Sequence, residues 1–390
     1  ALGNGHLTSG SVILYSPRQG TDQNTAVAIL DTVNPTIGGS SNINNYQWHH
    51  VALTRSSGTL RLFVNGVQEA SQSNSANLTQ TKVMIGYTIN CGGAESAFHG
   101  YINNLRIVKG NAVYTSAFTP PSSNLTAVSG TELLIGQNRG AVRNIGFIDS
   151  SNPGRTITPV SSGSSNSSAN IDQGSFSPYG NKWSTYFGGD DDYVTNTGTA
   201  LGSGNFTFET WVFPDADRNN APWFDNDNGF MFRQDDNGNI LLYDRTVGEL
   251  GKTTNGCLNL YQWNHVAAVR NNGTIKAYVN GVEQLSVSCS TNFTGTGFYV
   301  ARFTNASGSP AAFKGYISDY RVVVGTAVYT SAFTPPTTKL SAISGTTLLA
   351  FNSNRIVDSS GNVTLNTSGD KVIVTNFSPY YADSKYNPDT

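Results

Sequence analysis

One block of sequence occurs twice in this 390-residue chain, and the duplication limits the possible architectures more than any other feature. The run YQWHHVALTRSSGTLRLFVNGVQ begins at Tyr46, and YQWNHVAAVRNNGTIKAYVNGVE begins at Tyr261, an offset of 215 residues. A second pair keeps the same offset: FHGYINNLRIVKGNAVYTSAFTPP begins at Phe98, and FKGYISDYRVVVGTAVYTSAFTPP begins at Phe313. Sequences that repeat in one register fold as copies of one structural unit. The chain is therefore predicted to contain two related modules.

Each copy has the pattern of short antiparallel strands. Apolar runs such as residues 60–64 alternate with turn-forming residues, and no long window has a helical period. Asn65-Gly66 and its counterpart Asn280-Gly281 favour two-residue hairpins, because both residue types tolerate positive φ angles. Pro120-Pro121 and its counterpart are predicted to end a strand, since proline cannot donate to the hydrogen-bond ladder. The sequence predicts an all-β fold, with two antiparallel β-sandwiches in tandem.

The composition excludes some classes of partner. Charged residues make up only 12% of the chain and the formal net charge is -2, so no basic surface for nucleic acid is expected. No apolar run approaches the roughly 18 residues of a membrane span, so no membrane insertion is expected. The three cysteines, Cys91, Cys257 and Cys289, stand at non-equivalent places in the two copies. A shared disulfide framework is excluded, while a Cys257–Cys289 bridge and two buried thiols both remain open.

The two copies differ in completeness. The second opens near Trp183 with STYFGGDDDYVTNTGTALGSGNFTFETWVFP and is predicted to span residues 181–379. This opening has no counterpart in the first copy, which is predicted to span residues 1–149 and to lack its opening strands. Its sheet is then expected to have unpaired edges that upstream sequence or another chain would cover. Residues 150–180, rich in Ser, Gly and Asn, are predicted to be a connection, and residues 380–390 a linker to a further unit.

The ordered set FGGDDDYV, FTFETWVFP, YQWNHVAAVR, YVNGVEQ and FKGYISDYRVV resembles the laminin-G-like, concanavalin A-like lectin/glucanase superfamily. The resemblance covers nearly all of the second copy and the first copy from about Val12. It implies concanavalin A-like jelly rolls of two antiparallel sheets, used for carbohydrate or protein binding. The trailing GTAVYTSAFTPP and FSPY motifs look like tandem modules in structural proteins of marine tailed bacteriophages, which serve as fibres or decorations. Fold likeness does not by itself establish function.

The superfamily includes glucanases, whose activity depends on a pair of carboxylates. Retaining glucanases use two carboxyl groups roughly 5 Å apart, which this superfamily writes as Glu-x-Asp-x-(x)-Glu on one strand. No Glu of this chain begins such a motif, and Glu209 in FETWVF, the nearest candidate, is followed by apolar residues. His50 and His265 are equivalent, lack neighbours at metal-ligand spacing, and are interpreted as hydrogen-bonded inside the sandwich. The chain is predicted not to be an enzyme.

Asp190-Asp191-Asp192 is the densest acidic turn, and clustered oxygen ligands suit Ca²⁺. The resemblance implies a structural calcium ion on the rim of the sandwich, with Asp319 in GYISDYRV as a partner for Asp190 or Asp191. The first copy has Asn104 in place of Asp319 and lacks the acidic turn. One expectation is therefore structural Ca²⁺ bound by Asp190, Asp191 and Asp319, and the alternative is a solvated turn without an ion.

A candidate ligand site lies in NNAPWFDNDNG, which is predicted to be a loop because it is rich in turn formers. Trp223 is expected to be exposed there, and an exposed aromatic ring gives a flat apolar surface on which the C–H faces of a sugar stack. The predicted ligand-binding residues are Trp223, Phe224, Asp225, Asp227 and Tyr243. The alternative is that Trp223 packs on a neighbouring chain. The tryptophans expected in the core are Trp48, Trp211 and Trp263.

A duplicated binding module without a catalytic set predicts a non-enzymatic virion structural protein, either a phage tail fibre or a capsid fibre or decoration. Expected partners are other virion proteins, further copies of the chain and glycans of the host surface, and the expected location is the virion or the extracellular space. Many weak sites on one particle raise avidity by roughly 10²–10⁴. The alternatives are a purely architectural spacer of the virion and a secreted bacterial adhesin.

Overall fold

A computed structural model describes residues 12–15, 25–30, 36–81, 83–91, 94–98, 100–135, 149–151, 157, 182–189, 191–227, 229–303 and 312–380. The chain divides into two compact units, Ala1–Tyr179 and Gly180–Thr390. Within these ranges the only helix is a single 3-10 turn at Asp236–Gly238, and every strand pair is antiparallel, which confirms the all-β prediction. No helix in the described part of the chain is long and apolar enough to cross a membrane.

The first unit forms four small sheets among its described residues. Their orders are β1-β2-β3, β4-β5-β6, β7-β8 and β9-β10. The strands are β1 Val12–Tyr15, β2 Val27–Leu30, β3 Thr36–Gly38, β4 Val51–Ser56, β5 Thr59–Val64, β6 Val67–Ser73, β7 Tyr87–Cys91, β8 Ala94–Ala97, β9 Leu105–Val108 and β10 Thr131–Ile135.

The second unit forms one eight-stranded sheet and one seven-stranded sheet. Its strands are β11 Ser184–Gly188, β12 Tyr193–Thr197, β13 Phe206–Pro214, β14 Ala221–Asn226, β15 Phe230–Asp235, β16 Asn239–Asp244, β17 Gly248–Lys252, β18 Asn264–Asn271, β19 Thr274–Val279, β20 Val282–Ser288, β21 Gly297–Val300, β22 Lys314–Val324, β23 Thr346–Ala350, β24 Asn366–Ser368 and β25 Val372–Thr375. The first sheet has the order β20-β19-β18-β13-β22-β11-β25, with β23 also paired to β22. The second has the order β17-β16-β15-β14-β21-β12-β24.

Aromatic side chains fill the space between these two sheets. Phe208 of β13 lies 5.0 Å from Phe224 and 6.0 Å from Phe232, both on the seven-stranded sheet, measured between ring centroids. All three rings are fully buried. Such tilted and edge-to-face ring pairs add about 0.5–1.5 kcal/mol each beyond the burial of area. The second unit is therefore a sandwich with one aromatic core.

The duplication extends to the register of the strands. Val64 pairs with Val67 and Val279 pairs with Val282, so a two-residue turn joins each hairpin. Asn280 and Gly281 have φ angles of 50° and 79°, and their counterparts in the first unit have nearly the same values, as the sequence predicted. The pairing of β9 with β10 repeats that of β22 with β23, including its bulge. Cys257 and Cys289 are free thiols.

The repeated AVYTSAFTPP segment is not a strand, so the prediction that its proline pair ends one was wrong. The segment instead lies across the surface of the eight-stranded sheet that faces away from the seven-stranded sheet. We call this surface the back of the eight-stranded sheet. Tyr329 stacks on Phe333 at 3.6 Å, and both pack against Ala267 and Tyr278. The Phe333 amide donates to the Gly281 carbonyl over 3.0 Å, and a Cβ on Gly281 would lie 1.8 Å from the Phe333 carbonyl oxygen. The close approach therefore requires glycine at this position.

Candidate functional site

A second segment covers the other half of the same back surface. Phe377 of the FSPY motif lies 4.9 Å from Phe213, 5.4 Å from Trp263 and 4.8 Å from Tyr316. Phe213 is fully buried by this cluster, although it points away from the core between the sheets. The trailing motifs thus cover part of the back of the eight-stranded sheet. On the corresponding surface of the seven-stranded sheet, partly exposed tyrosine and arginine side chains surround the buried Asp225 and Met231.

Strand register defines that surface. Tyr243, Met231, Asp225 and Tyr299 are direct neighbours on β16, β15, β14 and β21. The residues that alternate with them, such as Phe232, face the core, so this row faces away from it. We call this surface the outer face. It consists of Tyr193, Asp225, Met231, Arg233, Tyr243 and Tyr299, together with Arg245, Arg302 and Phe303 from adjoining loops.

Two clusters of arginine and aromatic side chains occupy the outer face. In one cluster Tyr193 stacks on Tyr299 at 6.3 Å, and the Arg302 guanidinium lies 4.9 Å from the Tyr193 ring centre. In the other, the Arg233 guanidinium lies 5.5 Å from the ring centres of both Tyr243 and Phe303. A cation over an aromatic ring contributes about 0.5–1 kcal/mol at an exposed site. These contacts hold the flat groups in place while they remain half-exposed.

An ion pair lies in the middle of the row. The Nε atom of Arg245 donates to Oδ1 of Asp225 over 3.2 Å, and the Asp225 side chain is fully buried. Burial raises the pKa of Tyr299, and the nearby carboxylates of Asp227 and Asp225 raise it further, so its hydroxyl stays protonated and able to donate. The outer face therefore combines flat apolar surfaces with guanidinium and hydroxyl donors, an arrangement suited to a ring-shaped polar ligand.

The predicted ligand-binding residues are divided between two surfaces. Asp225 and Tyr243 belong to the outer face, and Asp227 lies at its border, where its amide donates to the Gly297 carbonyl over 2.8 Å. Trp223 and Phe224, by contrast, are fully buried in β14, so the prediction of an exposed Trp223 in a loop was wrong. The Trp223 ring packs edge-on against Phe232 at 5.0 Å. A side chain with no exposed surface cannot stack on a sugar.

The other tryptophans show the opposite error. Trp48, Trp211 and Trp263 were expected in the core, yet all three are only partly buried. Only Trp211 lies within a strand, since Trp48 and Trp263 precede β4 and β18. The apolar residues that flank these tryptophans in the sequence therefore do not predict whether a tryptophan faces the core or the partly covered back of the sheet.

The structure does not bring together the predicted calcium ligands. Asp190 lies outside the described residues, and Asp191 is exposed and pairs with Arg302 over 2.7 Å. Asp191 follows Gly188, which pairs with Lys314, whereas Asp319 lies five residues further along β22. At about 3.3 Å per residue, Asp319 is roughly 16 Å along β22 from the position opposite Gly188, so it lies away from the acidic turn. Within the described ranges no group of three or more His, Cys, Asp or Glu side chains could hold a metal ion.

Asp319 instead has a role that asparagine fills equally well. Its Oδ1 atom accepts a hydrogen bond from the Leu340 amide over 2.6 Å, and Oδ1 of Asn104 accepts from the Leu125 amide over 2.8 Å. Both residues have a positive φ, 53° for Asp319 and 52° for Asn104. Burial raises the pKa of Asp319 to about 6, although the hydrogen bond from the Leu340 amide opposes the shift.

The substitution Asp319→Asn is therefore expected to stabilise the second unit at pH 7 by about 1–3 kcal/mol. The folded state raises the pKa of Asp319 above its unfolded value, so its contribution is intact below pH about 4 and is lost as the pH rises through about 6. The gain from asparagine should accordingly be absent near pH 4 and complete above pH 7. Chemical denaturation at both pH values measures it, and equal stabilities of the two proteins at pH 7 would contradict the prediction.

Glu209 is the centre of a buried polar network on the back of the eight-stranded sheet. Its Oε1 atom accepts from Nε of Arg321 over 2.9 Å, and its Oε2 atom accepts from the Tyr329 hydroxyl over 2.7 Å. His265 lies 3.2 Å from Oε2 and is fully buried, which confirms that this histidine is hydrogen-bonded within the sandwich. Burial alone would raise the pKa of Glu209, but the hydrogen bond from His265 and the charges of His265 and Arg321 hold the pKa below its usual value. This carboxylate is inaccessible to a polysaccharide.

Comparison with known proteins agrees with this architecture. The family model for the concanavalin A-like lectin/glucanases superfamily, of the Laminin_G_3 type, matches residues 8–113 and 187–332. The chain belongs to this superfamily. No curated protein sequence matches the chain.

Several solved structures are similar to this chain at low sequence identity. They include a candidate carbohydrate-binding protein from Bacteroides ovatus, with 18% identity and a TM-score of 0.40, over 50% of this chain and 60% of that one. The heptameric SAP-like pentraxin of Limulus polyphemus has 16% identity and a TM-score of 0.37, over 50% and 98%. Domains LG4-5 of the mouse laminin α1 chain have 12% identity and a TM-score of 0.31, over 84% and 83%. This chain thus spans about three fifths of the Bacteroides ovatus protein.

Proposed function

We propose that this chain is a non-enzymatic carbohydrate-binding protein and that the outer face of its second unit is the sugar-binding surface. The observation that carries the proposal is the row of half-exposed Tyr193, Tyr243 and Tyr299 rings, held beside arginine side chains across neighbouring strands. Pyranose rings present C–H groups on their faces and hydroxyls at their edges. The rings supply flat surfaces for the first, and the guanidinium groups supply donors for the second.

Replacing Tyr243 or Tyr299 with alanine should weaken glycan binding by about tenfold or more, because truncating an aromatic anchor costs on the order of 1–2 kcal/mol or more. A glycan array with the full chain identifies a ligand, and calorimetry then gives the affinity of each variant. Tyr261→Ala is the matched control, since Tyr261 is 48% exposed and precedes β18 on the other sheet. Failure of the full chain to bind any glycan, or full affinity in both variants, would refute this surface.

We further propose that the chain is a structural component of a virion, as a tail fibre or a capsid fibre or decoration, and that it adheres to host-surface glycans. The tandem duplication supports this role, because weak sites gain avidity when a particle carries many copies. It would then be located on the virion, among other virion proteins and further copies of itself. Mass spectrometry of purified particles tests the assignment, and a chain that is absent from them would exclude it.

A purely architectural role is the second candidate. It is favoured by the first unit, in which β4 and β9 each pair on one side only among the described residues. Open edges can join modules into an extended assembly. A spacer would assemble normally and bind no glycan, whereas the binding protein loses glycan binding in the Tyr243→Ala variant while its assembly is unchanged.

Incubating a bound glycan with the chain should release no new reducing ends, as expected of a protein without hydrolase activity.

A further inference from the structure

One arginine of the outer face has no oxygen acceptor among the described residues. A guanidinium carries five N–H donors, yet Arg233 donates there only to the Met231 sulfur, over 3.8 Å. Its Nε atom is buried and has no hydrogen-bond partner in the described part of the chain. The two other arginines of this surface, Arg245 and Arg302, each pair with an aspartate. Arg233 thus differs from them in lacking an ion pair within the described ranges.

The surroundings of Arg233 are apolar. Its guanidinium carbon lies 5.5 Å from the ring centres of both Tyr243 and Phe303. Leu241 and Pro222 stand opposite Arg233 on the neighbouring strands β16 and β14, and both are buried. Aromatic rings attract the cation, but they do not replace an oxygen acceptor for its N–H groups. The side chain is therefore held on an apolar patch with most of its donors unfilled by the described residues.

The carboxylates closest to Arg233 are not bound to it. Asp235 and Glu249 both act on its charge, but among the described residues neither forms an ion pair with it. Asp235 pairs with Lys252 instead, over 3.0 Å, and Glu249 is an exposed residue of β17 opposite Tyr243. Burial lowers the pKa of Arg233, although the charges of the two carboxylates oppose the shift. The positive charge of Arg233 is therefore only partly compensated by its surroundings.

A half-buried guanidinium without an oxygen acceptor favours an anionic ligand. Hydrogen bonds from arginine to a carboxylate or a similar oxyanion are roughly twice as strong as those between neutral groups. Tyr243, which lies beside Arg233, belongs to the proposed sugar-binding surface. A sugar in contact with Tyr243 would have its ring substituents next to the guanidinium. An anionic substituent would supply the acceptor that the described residues do not provide.

We infer that the outer face selects acidic glycans, in which a carboxylate or a sulfate group on a sugar ring accepts hydrogen bonds from Arg233. This inference rests on the proposed function, because it requires a sugar in contact with Tyr243. Arg245 and Arg302 contribute less to the selection, since their aspartate partners already compensate their charges. Glu249 opposes it, because its negative charge lies on the strand next to Tyr243.

A panel of oligouronates in the gluco, galacto and manno configurations, each beside its methyl ester, tests the inference by calorimetry on the full chain. The ester keeps the sugar ring and removes the charge. Neutral oligosaccharides and their sulfated forms give the same comparison for sulfate, so the two arms identify the anionic group. In at least one pair the charged member should bind at least about tenfold more tightly, because charge-assisted hydrogen bonds are gained. Equal affinities within every pair would overturn the inference and leave the sugar-binding surface standing, whereas a chain that binds no glycan at all would defeat both.

The role of Arg233 is tested through the ratio of the two affinities. In the Arg233→Gln chain the charged and neutral members should differ by less than about threefold, since the charged partner has been removed. Glu249→Gln should raise the ratio by about twofold, because an exposed like charge is removed. Arg355→Gln is the matched control and should leave the ratio unchanged, since Arg355 is also half-buried but follows β23 of the other sheet. A tenfold ratio that persists in Arg233→Gln would overturn the assignment.

Discussion

Replacing Glu209 with alanine is expected to lower the free energy of unfolding of the second unit by about 3–5 kcal/mol at pH 7. The substitution leaves the Arg321 guanidinium and His265 without their acceptor in a region that solvent does not reach. A buried charge without a partner costs far more than the net value of the pair it once formed. Calorimetry of the full chain measures the change in the transition that belongs to the second unit.

The effect should depend on pH in a defined direction. The folded state lowers the pKa of Glu209 from its usual value of 4.5, so the ionised carboxylate stabilises the fold above pH about 4.5. This contribution is lost as the pH falls through the lower, folded-state pKa. The difference between the unaltered chain and Glu209→Ala should therefore be largest near neutral pH and should shrink in acid.

A matched control uses the exposed ion pair of the same unit. Glu283 accepts from Lys276 over 2.8 Å, and both side chains are about one third exposed. Glu283→Ala should change the free energy of unfolding by less than about 1 kcal/mol, because solvent screens an exposed pair. If the two substitutions cost the same, the buried network around Glu209 would not stabilise the second unit in the way described.

The sequence was sufficient to predict the parts of the fold that depend on local geometry. Asn280-Gly281 predicted a two-residue hairpin because only a few residue types accept two successive positive φ angles. The two copies share the same strand register, including the position of a bulge, because each copy repeats the same side-chain pattern. The family followed from the order of several motifs, each of which was weak by itself.

The candidate site could not be predicted in the same way, because its members are distant in sequence. Tyr193, Tyr243 and Tyr299 come together only through the order of strands in the seven-stranded sheet. The Glu209 network was recognised only in part, through its histidine. A comparison of the two copies could have identified the rest of the network. Arg321 and Tyr329 stand 215 residues after Arg106 and Tyr114, the same offset that separates His265 from His50.

Trp223 shows why composition misplaced one element. The residues around it are typical of turns, and the polar letters of NNAPWFDNDNG hide a strand. A bulge between Pro222 and Phe224 breaks the alternation, so that neighbouring aromatic residues are both buried. Asp225 is buried as well, and its charge is balanced by the ion pair with Arg245. Polarity therefore indicated a loop where an ion pair and a bulge allow a strand.

Trp223→Ala is consequently expected to lower the free energy of unfolding of the second unit by about 3–5 kcal/mol, the usual cost of removing a large aromatic side chain from a core. The cavity would open beside Phe232, which contacts the ring edge-on. Trp223→Phe should cost clearly less. It retains most of the aromatic volume, and the indole N–H that it removes has no hydrogen-bond acceptor.

Glycan affinity separates this role from ligand contact. Below its unfolding transition, the Trp223→Phe variant should bind the ligand found for the unaltered chain with an affinity within about twofold, because the ring does not reach the outer face. Tyr243→Ala should show the opposite pattern, with weaker binding and a loss of stability below about 1 kcal/mol, since its half-exposed side chain leaves no closed cavity. Loss of glycan binding in a fully folded Trp223→Phe protein would contradict this prediction, because it would mean that the ligand reaches the Trp223 side chain.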